Sequence, residues 1–180
     1  MIKSKKNNID YLWIIKIVLI SFIISVFFSF VSEMTIPKFN ILFGILICLL
    51  FIFIGIVFDM IGVSVTASDE SIFNSMAAKK IRGAKLAVKF KKKADKVSSF
   101  CNDVVGDICG IISGSAGAVI ALRISTITGF NALLVTLLVT GLISAFTIGG
   151  KALVKGTAIK NSNRILHRFT IFLSFFYISR

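Results

Sequence analysis

The sequence predicts an all-α, multi-pass membrane protein of about four transmembrane helices with a juxtamembrane amphipathic helical belt. Three observations predict it. The chain is 56% hydrophobic with a single proline, and its mean hydropathy is +0.94, whereas a soluble domain needs far more charged surface. Four runs approach the roughly 20 apolar residues that cross a hydrocarbon core. The lysines and arginines cluster beside those runs, as the positive-inside bias requires.

The first run is Tyr11 to Ser32, with Lys16 near its start and Tyr11 and Trp13 placed for the membrane interface. Lys3, Lys5 and Lys6 precede it, as in a signal peptide. Its apolar core is longer than a signal h-region and no convincing small-residue cleavage site follows, so it reads as a signal-anchor helix. Residues 1–38 are thus an N-terminal cytoplasmic tail and an extra transmembrane helix. Residues 39–180 form the main domain. Its first span runs from Phe39 to about Ala67, and the next two are Ser99 to Leu122 and Thr126 to Ile148. Only a tight turn around Arg123 and Ile124 fits between the last two. A weaker segment, Ile165 to Ile178, is too short to span and carries Arg164, His167, Arg168 and Arg180 at its ends. It reads as a C-terminal interfacial or re-entrant helix within 160–180.

The stretch 71–96 carries Lys79, Lys80, Arg82, Lys85, Lys89, Lys91, Lys92, Lys93 and Lys96 against the single acid Asp95. With four crossings, this segment and both termini fall in the cytoplasm of a cell membrane. The net charge of +13 would suggest nucleic acid in a soluble protein. Here cytoplasmic lysines account for it, so the expected partner is the lipid bilayer, with no nucleic acid. Within 70–97, Phe73, Ala77, Ile81, Ala84 and Val88 recur at helical spacing with lysines between them. That pattern predicts a basic amphipathic helix on the membrane surface, with Gly83 as a possible bend, or else a solvated charged helix.

Polar residues inside the spans are the candidate functional groups. Asp59 lies deep in the second span, and Asn102, Asp103 and Asp107 lie early in the third. Intramembrane acids commonly mark ion paths. Asp103 is also open to a plain capping or lysine-pairing role. Gly106, Gly110, Gly114 and Ala118 recur every four residues, with Ser113 and Ser115 beside them. Such a ladder admits close helix packing, or exposes carbonyls and hydroxyls to an ion. The second span ends in "SVTASDESIFNSMAAKK", residues 64–80. Its hydroxyls, with Asp69 and Glu70, are hard oxygen donors of the kind Mg2+ prefers. The same residues read equally as a helix cap with acids in the first turn. Cys48, Cys101 and Cys109 have no metal-ligand spacing and read as buried free thiols. No triad, metal cluster or phosphate loop appears, so the sequence predicts no enzyme and no cofactor beyond Mg2+ as a transported ion.

The order of these parts resembles the transmembrane domain of the cyclin M (CNNM)/CorC family of magnesium transporters, over about residues 40–170. In that family the first core helix ends in a motif like SGSETALTS and a basic helix follows. Here "ASDESIFNS" stands in that place, with Glu70, Ser71 and Ser75 matching. Gly106–Asp107 looks like the family's G-N pair. "GKALVKGTA" and "NSNRIL" look like its GEILPKTLA and following amphipathic helix, with Gly150, Lys155, Ala158 and Arg164 in step. The family glutamate is Lys151 here, its proline is Val154, and Ile111 stands nearest its second asparagine. No pair of CBS nucleotide-binding domains follows in this sequence. The resemblance implies a homodimer that transports or binds a divalent cation, with Glu70, Ser71, Ser75, Asp107 and Asp59 as metal ligands. The alternative is a non-transporting, membrane-embedded interaction or regulatory protein built on the same fold, which Lys151 favours, whereas Asp59 and Asp103 favour the transporter because they can compensate for that charge.

Overall fold

The structure is a computed structural model that describes residues 11–35 and 40–176. Lys3, Lys5, Lys6, Phe39, Ile178 and Arg180, which belong to the sequence-based reading, lie outside those residues. Every regular element among the described residues is helical: α1 (Tyr11–Thr35), α2 (Ile41–Ala67), α3 (Glu70–Ala78), α4 (Ala84–Lys92), α5 (Ala94–Ser99), a π-helical turn (Phe100–Val105), α6 (Gly106–Thr128), α7 (Ala132–Lys160) and α8 (Ser162–Phe176). Four helices are long and apolar enough to cross a membrane: α1, α2, the continuous run Ala94–Thr128, and α7.

Several boundaries differ from the sequence-based reading, among them the end of the last span, which runs on to Lys160 and not to Ile148. The turn between the last two spans is at Gly129–Asn131, not at Arg123 and Ile124. Gly129 takes φ 73° and ends α6, while the Asn131 side chain accepts from the Leu133 amide and starts α7. Glycine at positive φ and asparagine at an N-cap are the residues these positions favour. The third span begins further back, at Ala94, because α5, the π-helical turn and α6 run on without a break. The basic helix expected over 70–97 is three helices. Lys80 at φ 56° and Gly83 at φ 81° separate α3 from α4, since the left-handed conformation cannot continue a right-handed helix, and Lys93 at φ −121° separates α4 from α5.

At the centre α2 and α6 cross antiparallel, and α7 packs on both. The register is visible in the glycines. Gly55 meets Cys109, Gly62 meets the Asn102 side chain, and Gly150 of α7 meets Ile56. α1 lies outside, with Ile17 and Ile24 against Val104, Ile108 and Ile112. The outward faces keep large apolar side chains exposed, as with Leu138 at 69% and Leu153 at 81%. Such continuous apolar surface belongs in lipid.

The belt helices gather at one end. Phe73, Ala87, Cys101 and Leu166 close over Ile61 and Val65 of α2. Trp13, at the start of α1, has the Lys96 ammonium 5.4 Å from its ring centroid, so α1 begins at this same end. The expected amphipathic face is thus built from a folded belt. Phe73 and Ala84 of that face are buried, whereas Ile81, in the break, is 40% exposed.

Candidate functional site

An α-helix leaves its last four carbonyls without internal partners. At the end of α2 all four are satisfied. Ser64 O accepts from the Ser68 amide at 3.0 Å. Val65 O accepts from Lys91 Nζ and from Ser68 Oγ, both at 3.1 Å. Thr66 O accepts from Lys91 Nζ at 2.7 Å, and Ala67 O from Ser162 Oγ at 3.3 Å. The Lys91 ammonium also sits where the helix dipole is negative. Ser68 and Asp69 turn the chain: the Asp69 amide donates to Asn163 Oδ1 at 2.8 Å, and Asp69 Oδ1 accepts from the Ser71 amide at 2.8 Å. The two hydrogen bonds from Ser71, with the charge of Lys91, hold the Asp69 carboxyl below its usual value.

This junction uses the oxygens that the sequence offers as metal ligands. Ser64, Thr66, Ser68 and Ser75 donate their hydroxyl protons to main-chain carbonyls. Glu70, Ser71 and Ser75 are exposed on α3, which packs against α4. Asp107 is exposed on α6. The α2–α6 register places it near the level of residue 57, about 15 Å along the axis from the end of α2. The structure therefore brings Glu70, Ser71 and Ser75 together and leaves Asp107 and Asp59 apart from them. Asp103 accepts from Ser99 Oγ at 2.7 Å, one turn back on the same helical run, which is neither a helix cap nor a lysine pair. Among the described residues no three of His, Cys, Asp and Glu stand together to hold a metal ion.

Asp59 has a different partner. Lys151 Nζ lies 3.9 Å from its Oδ1, with the lysine and aspartate side chains 24% and 15% exposed. The same ammonium lies over Gly106, 3.4 Å from where a Cβ would stand. One turn toward the belt, Asn102 is seated on Gly62, where a Cβ would overlap the amide. Asn102 Nδ2 donates to Ser98 Oγ at 3.3 Å, but its Oδ1 is buried and has no partner. Asn102 belongs to the π-helical turn, where the Gly106 amide donates to Cys101 O five residues back. Such turns recur at functional sites. The seam between α2, α6 and α7 thus holds an acid, a lysine and an orphan amide oxygen.

The glycine ladder of α6 divides. Gly106 faces the seam, while a Cβ at Gly110 or Gly114 would meet nothing within 4 Å. Gly110 and Gly114 instead border a groove shared with Thr140, Ser144 and Thr147 of α7. α6 meets α7 closely at Gly117, where a Cβ would overlap the Ile143 side chain. The sequence reading named Asn102 and Lys151 but missed Lys91, Ser162 and Asn163. Lys91 is one of a run of lysines, and Ser162 and Asn163 are far from α2 in sequence, so no local signal marked them.

Compared with protein-family models, with curated proteins and with solved structures, the chain matches none.

Proposed function

We propose that this is a multi-pass cell-membrane protein whose core resembles that of cyclin M/CorC transporters but whose seam is filled by its own cation, the Lys151 ammonium. It would act as a membrane-embedded interaction or regulatory protein and not as a transporter. The observation that carries this reading is the Lys151–Asp59 pair. A fixed ammonium beside the acid of α2 neutralises the charge that would attract a divalent ion. The dispersal of Glu70, Ser71 and Ser75 from Asp107 and Asp59 supports it further.

Transport or binding of Mg2+ is the second reading, and the unpartnered Asn102 Oδ1 favours it. An amide oxygen near an acid suits a hard cation. Calorimetric titration with Mg2+ of the wild type and of Lys151→Glu separates the two. Heat from Lys151→Glu alone supports the filled seam. Heat from the wild type that is lost in Asp59→Asn supports transport or binding instead and overturns the first reading. Growth of a magnesium-uptake-deficient host on the wild-type chain would do the same. No heat from either folded protein retires the cation site and leaves the interaction role.

The proposed orientation puts the belt and both termini in the cytoplasm, on the charge bias. Single cysteines at Lys92 and Glu33 should then label from opposite sides. The groove at Gly110 and Gly114 is the proposed contact of a homodimer.

A further inference from the structure

We propose that the belt contains a binding site for the phosphodiester headgroup of an anionic phospholipid, in a notch formed by the 79–83 turn, the start of α4 and the end of α8. Lys80, Arg82, Lys85, Lys89 and Ser174 line a cavity of about 390 Å³. None of those four cations is paired with a carboxylate among the described residues. α4 begins at the notch, so the positive end of its dipole adds to their charge.

The turn is held in shape. Gly83 takes φ 81°, and a Cβ there would stand 3.0 Å from the Ile171 amide nitrogen. The Arg82 carbonyl lies 3.2 Å from His167 Nε2, and the Arg82 guanidinium sits 5.5 Å from the Phe175 ring centroid. The cations are therefore presented by a fixed turn clamped to α8, unlike a floppy polybasic loop.

A neighbouring feature selects a lipid over a soluble phosphate. A second cavity of about 760 Å³ shares Leu86 and Lys89 with the first and is otherwise lined by Phe90, Val97 and Leu173 together with Lys92 and Lys93. A cationic notch that adjoins a trough of apolar side chains edged by lysine stems complements an amphiphile with an anionic head. The rim is apolar too, with Ile81 40% and Phe175 72% exposed. A nucleotide or free phosphate gains nothing from such a rim, whereas an acyl chain does.

The test uses the full chain in nonionic detergent, titrated with short-chain phosphatidylglycerol, short-chain phosphatidylcholine and glycerol phosphate. Thermal midpoint and binding affinity are the readouts. Phosphatidylglycerol should bind and raise the midpoint, and the other two should not. Arg82→Gln/Lys85→Gln/Lys89→Gln should weaken phosphatidylglycerol binding by about tenfold or more, since each basic contact contributes about fivefold. Lys155→Gln/Lys160→Gln/Arg164→Gln removes the same charge from exposed positions outside the notch and should change binding by less than about threefold. An equal loss in both triple variants would overturn the site in favour of diffuse surface charge. Equal binding of glycerol phosphate would overturn the lipid assignment, and equal binding of phosphatidylcholine would overturn the role of the cations.

Discussion

Asp59 Oδ1 and Lys151 Nζ lie 3.9 Å apart on helices that run side by side in the same direction. The two residues meet because both α2 and α7 pack antiparallel to α6. Gly150, next to Lys151, lets α7 close on Ile56. Each charge lowers the cost of the other in a span, where a lone acid or lysine costs about 2.5–3.5 kcal/mol.

That pairing makes a coupled mutant set. Asp59→Asn or Lys151→Met alone should destabilise the protein by about 1–3 kcal/mol, because each leaves a charge without its partner. The double variant should cost less than the sum. Thermal unfolding in detergent reads this directly, and strictly additive losses would show that the pair is not an interaction.

Lys91 should stand out from its lysine neighbours. Lys91→Met removes two charge-assisted bonds to the end of α2 and should cost about 1–3 kcal/mol. Lys92→Met, on an exposed residue of the same helix, should stay within about 0.5 kcal/mol. Equal effects would mean that the α2 terminus does not depend on this ammonium.

Asp69 gives a pH dependence. Its carboxyl is held below the ordinary 3.8 by the Ser71 amide and hydroxyl and then by Lys91. A depressed acid stabilises the fold fully above that ordinary value, and the contribution fades as the pH falls through the lower, folded value. The wild type should therefore lose more stability than Asp69→Asn on acidification below 3.8. Parallel acid-unfolding curves for the two proteins would remove Asp69 from the account.

Two glycines should separate folding from association. Gly83→Ala forces a side chain into positive φ against Ile171, and should cost more than about 1 kcal/mol in thermal unfolding. Gly110→Leu enters open space, so the monomer should fold normally. If the groove joins two copies, that variant should shift to a smaller particle in size-exclusion chromatography with light scattering. An unchanged particle size would leave the groove facing lipid.

Hydropathy and charge by themselves determined the class of this protein. Apolar runs long enough for a bilayer leave helices as the means of satisfying their backbone groups, and the spans, the belt and the break near Gly83 follow from local pattern. Exact ends were less legible. Arg123 looks like a turn residue by charge, but Gly129 and Asn131 have the backbone chemistry that stops one helix and starts the next. Partnership was decided only by tertiary structure. Glu70, Ser71, Ser75 and Asp107 look alike as oxygen donors in a string of letters, and only the fold separates them. Lys151 is one more lysine near the end of a span, and nothing in the sequence says that its ammonium reaches Asp59. Lys91 is one lysine among eight between residues 79 and 96, and it becomes the cap of α2 because α4 folds back beneath that helix. Periodicity and charge act between near neighbours. Ion pairs and helix caps join residues that only packing brings within a few ångströms.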